Sequence, residues 1–355
     1  MATASEVGAG GGARAEGVSR QLTVTLVSPN TSLPSFRLRL GSLRPALEAR
    51  GWRVQSFSMP RRPEWWRVWA RREVWRRSDL IVFSKQKLLP LERAFVQRRC
   101  RRWVFDVDDA VMFAKPSRHG DAPDQAWWRQ RRLRRMVEHC RLVVTGAQPL
   151  ADWVAPFARR IEVVPTPVDL SRYPLAGHEP REVLRLGWIG TTGNLAYLGD
   201  LAPVLRQLAA EGVRIEVRVI SAGMPGWTEV SCLEVPWSEA VESEALASCD
   251  IGLAPLPDDP WTRGKGAYRS IQYAAAGLPA VASPVGANRD VVVDEVTGLW
   301  ASTPHEWLAA LRRLAADPEL RRRLGAAARE RAARYDLPRY VAHYLGLLDG
   351  VLAED

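Results

Sequence analysis

A polar, Pro-rich segment in the second half of the chain combines residue types that bind phosphate groups. The apolar stretch DIGLAPL (250–256) is followed by PDDPWTRGKGAY (257–268), in which Arg263 and Lys265 alternate with Gly264 and Gly266. We expect a helix to begin near Gly264–Gly266, so that its free backbone N–H groups and positive dipole end lie beside both cations. Such an arrangement would bind an anion such as phosphate.

The next stretch, YRSIQYAAAGLPAVASPVG (268–286), predicts a compact helix, a stop and a short strand. The small residues Ala274–Ala276 let the helix lie close to a sheet, Gly277 is expected to end it in a left-handed conformation, and Pro279 prevents continuation. The strand AVAS leads into Pro284, Val285 and Gly286 at the same sheet edge. Two neighbouring loops therefore predict a pocket for a phosphate-bearing ligand; the alternative is a plain strand–helix–strand packing unit.

A second glycine-containing turn follows the predicted strand LRLGWIG (184–190). Gly190, Thr191, Thr192 and Gly193 offer backbone N–H groups and hydroxyls at a helix start, which suits an anionic oxygen. Alone the pattern is weak, because any tight turn uses glycine. The loop after the first strand, SPNTSLPSFRLR (28–39), lacks Gly-x-Gly-x-x-Gly, which argues against a nicotinamide or flavin enzyme of the usual Rossmann type.

Carboxylates cluster in the first half, in RRWVFDVDDAVMF (101–113). Asp106 and Asp108 share one face by strand alternation, and Asp109 begins the following turn. Carboxylates at a strand end suit hydroxyl recognition, proton transfer or a metal. Aspartates that merely cap a turn are the alternative.

Strands that alternate with helices must position these residues. Candidate strands of the first half are 22–28, 52–57, 80–83, 102–107, 141–146 and 161–165, and those of the second half are 184–190, 213–221, 250–256 and 278–283. Helix-like stretches include 35–50, 90–99, 126–139, 304–334 and 337–352. This alternation predicts an α/β fold with two doubly wound parallel sheets, whose ligands bind beyond the carboxyl ends of the strands.

The predicted domains follow from these two series. Residues 1–20 form a Gly/Ala-rich disordered tail, 21–170 a first Rossmann-like domain, 171–180 a linker and 181–336 a second Rossmann-like domain. The last helix, 337–355, is expected to cross back onto the first domain. The 355 residues suit two domains of about 150 residues each.

Charge is distributed unequally between the two halves. Residues 1–170 carry 28 arginines and 3 lysines against 16 acidic residues, whereas the second half has more acids than bases. The asymmetry indicates an anionic partner for the first half.

Within the first half, residues 61–79 hold seven arginines and four tryptophans, and Trp65, Val68, Trp69 and Trp75 share one helical face.

A basic helix with interfacial tryptophans fits the surface of an anionic membrane. Packing of the Trp face on the sheet is an equally good interpretation.

The tail lacks the apolar core of a signal peptide, and the spacing of the four cysteines (Cys100, Cys140, Cys232 and Cys249) is not that of metal ligands. We therefore expect a cytoplasmic protein with reduced cysteines, in peripheral contact with a membrane at most. Nucleic acid is not the expected partner, because no nucleic-acid-binding motif is present.

With these residues in view, the chain resembles the family-4 retaining glycosyltransferases of the GT-B fold, in which two Rossmann-like domains face each other across a cleft. The resemblance extends from about residue 22 to 345. Its strongest part is DIGLAPLPDDPWTRGKGAYRSIQYAAAGLPAVASPVG, and VVPTPVDLSRY (163–173) is similar to the inter-domain signature. SDLIVFSKQKLLP and WVFDVDDAVMF resemble a bacterial subgroup with an Asp-Asp-Ala motif in the acceptor domain.

The resemblance implies a nucleoside-diphosphate sugar bound by the second domain and an acceptor approaching from the first. It assigns catalysis to Asp108, Asp109 and Lys265, and the acceptor side to Arg37, Lys85 and Lys87. Donor binding is assigned to a larger set: Gly190, Thr191, Thr192, Gly193, Arg263, Lys265, Tyr268, Gln272, Pro284, Val285 and Gly286. No cofactor and no obligatory metal are implied.

Two departures from the family pattern bear on activity. Many relatives have a Glu-x7-Glu pair across the donor helix, and here the two positions hold Gly264 and Gln272. Their usual Arg and Lys after the first strand of the second domain are replaced by Thr191-Thr192-Gly193-Asn194. The sequence thus predicts a retaining glycosyltransferase of glycan biosynthesis with an anionic, lipid-linked or other hydroxyl acceptor. The alternative is a non-catalytic relative that binds nucleotides, glycans or a partner.

Overall fold

The computed structural model describes residues 21–59, 66, 69–113 and 126–354. The predicted tail, residues 1–20, lies outside the described residues, as do positions 61–65, 67 and 68 of the predicted Arg/Trp helix at 61–79.

The first half forms one parallel sheet. Its strands are β1 (Thr23–Ser28), β2 (Arg53–Ser58), β3 (Leu80–Ser84), β4 (Trp103–Val107), β5 (Leu142–Thr145) and β6 (Ile161–Val163). They are ordered β2-β1-β3-β4-β5-β6, with β1 in register from Val24 opposite Leu80. The central strands are continuous apolar runs because both faces of the sheet are covered.

Helices cover both faces of this sheet: α1 (Pro34–Leu38), α2 (Arg44–Ala49), α3 (Arg72–Arg77), α4 (Pro90–Gln97), α5 (Ala126–Val137) and α6 (Gln148–Val154). On one face Leu26, Val82 and Val104 pack with Phe36 and Leu47 of the first two helices. On the other face the sheet packs with helices α3 to α6 through residues such as Trp75, Val96, Leu133 and Leu150. The described part of the first half is therefore doubly wound.

The second half repeats the architecture. Its strands are β7 (Leu184–Ile189), β8 (Ile215–Ser221), β9 (Cys232–Pro236), β10 (Ile251–Ala254), β11 (Ala280–Ala282) and β12 (Gly298–Trp300), ordered β12-β11-β10-β7-β8-β9 and all parallel. The helices are α7 (Leu195–Gly199), α8 (Ala202–Ala210), α9 (Glu242–Ala247), α10 (Pro260–Arg263), α11 (Tyr268–Ala275), α12 (Asn288–Val291), α13 (Pro304–Ala316), α14 (Pro318–Ala332) and α15 (Leu337–Ala353). Two doubly wound parallel sheets are thus confirmed.

The last helix, α15, lies against the first sheet. Tyr344 and Leu348 are completely buried in the same core as Val24 and Leu26 of β1. The chain reaches this position through Val168, which pairs with Asp336 in an isolated parallel bridge. The C-terminal segment therefore connects the two halves a second time, whereas the predicted boundaries at 170, 180 and 336 stay predictions.

A buried ion pair fastens α15 to the first sheet. Arg39 donates from Nε and Nη2 to the two carboxylate oxygens of Asp106, each at 2.8 Å, and from Nη1 to the carbonyl of Val164 at 2.7 Å. The hydroxyl of Tyr344 donates to Asp106 Oδ2 at 3.0 Å. Asp106 is therefore part of the fold's interior, and it does not reach the sheet edge as Asp108 does.

Several predicted helices differ from the structure. Residues 35–50 form α1, a 3₁₀ turn at Gly41–Leu43 and α2. The predicted helix 304–334 is broken at Asp317, because its carboxylate accepts the backbone N–H of Leu320 and Pro318 begins a new helix. The helix expected near Gly264–Gly266 begins only at Tyr268, after the separate turn α10. The strands β9 and β12 were not predicted from the sequence.

The tryptophans of residues 61–79 do not share one environment. Trp75 is 1% exposed and meets Phe57 edge-on with 5.2 Å between ring centroids, whereas Trp69 is 61% exposed. The predicted common face is therefore wrong for these two residues, and Trp65 and Val68 lie outside the described residues. Within the described part of the chain, no helix has both the length and the apolar character needed to cross a membrane.

Candidate functional site

A cavity of about 780 Å³ lies between the two sheets, where the carboxyl ends of their strands face each other. The first half contributes Asp108 and Asp109, and the second half contributes the Gly190 turn, Lys265 and Arg269. This is the position that doubly wound sheets offer to ligands, because their loops and helix starts converge there. A volume of this size suits a small organic ligand.

Gly190, directly after β7, lets the side chains of Trp188 and Arg269 lie close to the backbone of the cavity wall. A Cβ atom at Gly190 would lie 2.7 Å from Trp188 Cη2 and 2.8 Å from Arg269 Nη2. The guanidinium of Arg269 therefore passes directly under the turn of Gly190, Thr191 and Thr192, all three of which line the cavity. A larger residue at this position would have to displace the completely buried ring of Trp188 as well as the end of the Arg269 side chain.

Arg269 is the half-buried cation of this wall, and it has no carboxylate partner among the described residues. Its Nε donates to the carbonyl of Ile189 at 2.5 Å, and its Cζ lies 4.6 Å from the ring centroid of Trp188. Burial lowers the pKa of Arg269. A guanidinium that is desolvated without an acidic partner favours an anion at the cavity. Sequence reasoning missed this residue, because one arginine in a small-residue helix carries no distinctive pattern.

Lys265 lies between α10 and α11 and lines the same cavity. Its Nζ is 5.9 Å from the ring centroid of Tyr197, another lining residue that the sequence did not single out. The helix α11 begins three residues later, after Ala267 in a left-handed conformation with φ of 52°. Lys265, the start of α11 and Arg269 therefore converge on one wall, as the phosphate-binding hypothesis requires.

The neighbouring Gly264 explains one departure from the family pattern. A Cβ atom there would lie 2.6 Å from Ala110 Cβ and 2.9 Å from Leu150 Cδ2, both of the first half. The loop that carries Lys265 is thus in contact with the Asp-Asp-Ala turn at 108–110. A glutamate at 264 would not fit between the two halves of this chain.

Behind the opposite wall, Lys85 pairs with both carboxylates of the 108–110 turn. Lys85 Nζ lies 2.8 Å from Asp108 Oδ1 and 2.5 Å from Asp109 Oδ2. Burial alone lowers the pKa of Lys85, but the two carboxylates outweigh this and raise it. Burial raises the pKa of Asp108, and the charge of Asp109 adds to this while Lys85 opposes it. Lys85 itself has a positive φ of 55°, a costly conformation that is frequent at functional sites.

A chain of hydrogen bonds continues the wall from Gln272, the second position of the family's Glu-x7-Glu pair. Gln272 Nε2 donates to the hydroxyl of Tyr173 at 3.0 Å, and that hydroxyl donates to Glu242 Oε1 at 3.2 Å. Trp237 Nε1 donates to the other carboxylate oxygen of Glu242 at 2.8 Å. All four residues line the cavity. A carboxylate is therefore present beside the neutral Gln272, but it comes from α9, over 25 positions away in sequence, and spacing could not reveal it.

Arg37 closes the rim of the cavity between the two halves. Its Nη1 lies 2.5 Å from Glu239 Oε2, and its Cζ is 5.7 Å from the ring centroid of Trp237. Arg172 also pairs with Glu239, at 2.6 Å. The residue predicted on the acceptor side thus lies at the cavity, where it contacts the other half.

The predicted residues divide into two groups. The cavity wall contains Arg37, Asp108, Asp109, Gly190, Thr191, Thr192, Lys265, Tyr268 and Gln272. The structure places the remaining predicted residues outside that wall: Lys85, Lys87, Gly193, Arg263, Pro284, Val285 and Gly286. Arg263 is exposed and pairs with Asp258 at 2.6 Å. Gly286 supports the loop from behind, because a Cβ atom there would lie 2.3 Å from the carbonyl oxygen of Arg263.

Residues 202–345 match the family described as glycosyl transferase-like. No curated protein matches the chain. Among solved structures, the chain is similar to sucrose-phosphate synthase from Thermosynechococcus elongatus, with a TM-score of 0.73 and 16% identity over 94% of this chain and 100% of that one.

Two ligand complexes have the same architecture. HepE from Anabaena in complex with UDP and glucose aligns with a TM-score of 0.62 and 14% identity, over 93% of this chain and 100% of that one. An E. coli structure described as trehalose-6-phosphate bound with UDP-2-fluoro glucose aligns with a TM-score of 0.60 and 14% identity, over 92% of this chain and 98% of that one. The fold is that of the GT-B glycosyltransferases, as expected from the sequence.

Proposed function

We propose that this protein is a retaining glycosyltransferase of family 4 that moves a sugar from a nucleoside-diphosphate sugar to a hydroxyl acceptor. The observation that carries the proposal is the pair of cations, Lys265 and Arg269, on one wall of the cavity between the two halves. The glycosyl transferase-like match over residues 202–345 supports the same activity. Because two of the solved structures named above hold UDP with glucose or UDP-2-fluoro glucose, UDP-glucose is the first donor to test.

The donor's diphosphate would lie against the Gly190 turn, with Arg269 beneath it and Lys265 at its side. Two cations in a partly desolvated cavity balance the charge that the leaving diphosphate develops, which lowers the barrier to bond cleavage. The proposal assigns this neutralisation to side chains and includes neither a cofactor nor an obligatory metal. Turnover that is insensitive to EDTA is therefore expected.

The reaction proposed is substitution with retention at the anomeric carbon. The bond from that carbon to the diphosphate oxygen breaks and its electron pair leaves with the diphosphate. The acceptor oxygen forms the new bond on the same face, and its proton passes to the departing diphosphate oxygen. The protein's part is to align the acceptor hydroxyl and to stabilise the leaving group.

The carboxylates of Asp108 and Asp109 would position sugar or acceptor hydroxyls from the first half. Both line the cavity, and Lys85 holds them in place. An anionic or lipid-linked acceptor fits the excess of basic residues in the first half. The proposed location is the cytoplasm, with peripheral contact to an anionic membrane surface through residues 61–79.

A thermal-shift panel of UDP-, GDP- and dTDP-sugars tests the donor site. A donor at 100 times its Kd should raise Tm by about 5 °C, because binding stabilises the folded state by mass action. Lys265→Ala should keep the Tm of the ligand-free protein and lose most of the donor shift and of turnover. Wild-type turnover in Lys265→Ala would contradict the assignment.

Donor hydrolysis and transfer are then measured on the same samples. Release of the nucleoside diphosphate supports an enzyme. A clear donor shift with neither hydrolysis nor transfer to any sugar acceptor would instead favour the non-catalytic binding subunit. The anomeric configuration of the product, read by NMR, tests retention.

A further inference from the structure

Three cations converge beside the first sheet, and none of them has an acidic partner among the described residues. Lys87 follows β3, and its Nζ donates to the carbonyl of Val111 at 3.2 Å. Arg132 of α5 donates from Nη2 to the carbonyl of Lys87 at 3.5 Å. Arg129 lies one turn earlier on the same helix, and both arginines are within 6 Å of the ring of Trp128, at 5.2 and 5.8 Å. We call Lys87, Arg129 and Arg132 the cation cluster.

Members of the cation cluster are partly buried and incompletely bonded. The Nε atoms of Arg129 and Arg132 are both buried and have no hydrogen-bond partner among the described residues. Burial, Arg132 and Arg129 together lower the pKa of Lys87 to about 8. Like charges that are desolvated together destabilise a fold unless an anion joins them.

Several other cations in the same region are paired with carboxylates, unlike the cation cluster. Lys85, two residues before Lys87, contacts both Asp108 and Asp109, and Arg134 and Arg135 of α5 share Glu138. Within the described part of the chain, no carboxylate lies within ion-pair distance of Lys87, Arg129 or Arg132. The counter-charge must therefore come from outside these residues.

The cluster lies next to the first-half wall of the cavity. Val111, the carbonyl partner of Lys87, is two residues beyond Asp109, which lines the cavity. If the cation cluster held the anionic group of a ligand, another part of that ligand would lie near the Asp108–Asp109 turn. This is the geometry that an acceptor needs to present a hydroxyl to the cavity.

We propose that Lys87, Arg129 and Arg132 bind a phosphate group carried by the acceptor. Two guanidinium groups and an ammonium group provide positive charge and several N–H groups, which can donate hydrogen bonds to the oxygens of a phosphate. The role as acceptor site rests on the proposed function, whereas binding of the anion does not. The phosphate belongs either to a soluble sugar phosphate or to a lipid headgroup.

Inorganic phosphate is the first probe, compared with sodium chloride of equal ionic strength. Phosphate at ten times its Kd should raise the Tm of the wild-type protein by about 3 °C. Lys87→Gln and Arg132→Gln should lose this shift, and in chloride they should be no less stable than wild type, because like-charge repulsion is relieved. Lys87→Arg, which keeps the charge, should retain the shift.

Arg131→Gln is the matched control, since it removes the same charge from an exposed position of the same helix. It should keep the phosphate shift. Equal loss in Arg131→Gln, or no phosphate-specific shift in the wild type, would mean an adventitious ion only and overturn the proposal.

Two further probes distinguish the sources of the phosphate. If the acceptor is a soluble sugar phosphate, glucose 6-phosphate should raise the Tm. If the acceptor is a lipid, the protein should sediment together with vesicles of phosphatidylglycerol in phosphatidylcholine. Either response must disappear in Lys87→Gln and persist in Arg131→Gln; if neither probe binds, the acceptor assignment is overturned. The UDP shift is recorded on the same samples, so failure of the donor site would be seen separately.

Discussion

Each half of the chain has an arginine near the carboxyl edge of its sheet, and the two arginines, one completely buried and one half-buried, are held in opposite ways. In the first sheet, Arg39 is completely buried and makes a two-point ion pair with Asp106. In the second sheet, Arg269 meets a carbonyl and the face of Trp188, with no carboxylate partner among the described residues. Burial lowers the pKa of both, but Asp106 raises that of Arg39 beyond its ordinary value, whereas that of Arg269 stays lowered.

The difference separates a structural cation from one that is available to a ligand. Arg39 has its counter-charge inside the fold, where it joins α1, β4 and α15. Arg269 borders the cavity, and in the proposed function its counter-charge would come from the donor's diphosphate. The same contrast separates Lys85, which is paired with two carboxylates, from Lys87, which has no carboxylate partner among the described residues.

Removing the structural arginine should have the largest effect. Arg39→Met leaves Asp106 buried without its cation, which should cost about 3–5 kcal/mol of unfolding free energy. Urea denaturation followed by circular dichroism measures the loss. The double variant Arg39→Met/Asp106→Leu should recover most of it, and a cost below about 1 kcal/mol for the single variant would contradict a structural role.

Removing the cavity arginine should impair function and spare stability. Arg269→Gln should lower kcat/KM by about 10²–10³-fold, because a preorganised charge in a desolvated site is lost. Its unfolding free energy should equal or exceed that of wild type. Arg263→Gln is the matched control, since Arg263 is exposed and paired with Asp258; an equal loss of activity there would remove the distinction between these arginines.

A smaller effect is expected at the carboxylate beside Gln272. Glu242→Gln keeps the side-chain shape but removes the charge that accepts from Tyr173 and Trp237. We expect KM for the donor to rise by about 10-fold with kcat nearly unchanged, since a charged hydrogen bond is worth about 1–2 kcal/mol more than a neutral one. Donor titrations at fixed acceptor measure it, and an unchanged KM would assign Glu242 to packing alone.

The smallest effect concerns the unpaired lysine and depends on pH. Because burial, Arg132 and Arg129 lower the pKa of Lys87 to about 8, its charged form destabilises the folded state below that pH. Lys87→Gln should therefore be more stable than wild type by about 1 kcal/mol at pH 7. The stability advantage of Lys87→Gln should shrink as pH rises from 8 towards 10.5. In this range Lys87 of the wild type is already neutral in the folded state but still charged in the unfolded state. A difference that is constant with pH would contradict this assignment.

The sequence was sufficient for much of the second half, because its signals are local. Apolar runs bounded by turn residues indicated β10 and β11, and Gly277 does adopt the predicted left-handed conformation, with φ of 68°. Lys265 could be found because a cation beside glycines at a helix start has a recognisable spacing. Arg269 and Glu242 could not, since their environments are created by β7 and by Tyr173, residues distant in sequence.

By itself, the order of apolar and turn residues determined two doubly wound sheets. It also placed Asp108 and Asp109 directly after a strand and Lys265 in a loop before a helix. Hydrophobic periodicity and turn preferences involve only a few neighbouring residues, so they can be read from the sequence alone. The tertiary structure alone decided which charges are paired and which are left for a ligand. Pairing depends on distances of a few ångströms between residues such as Arg39 and Asp106, 67 positions apart, and the sequence contains no measure of those distances.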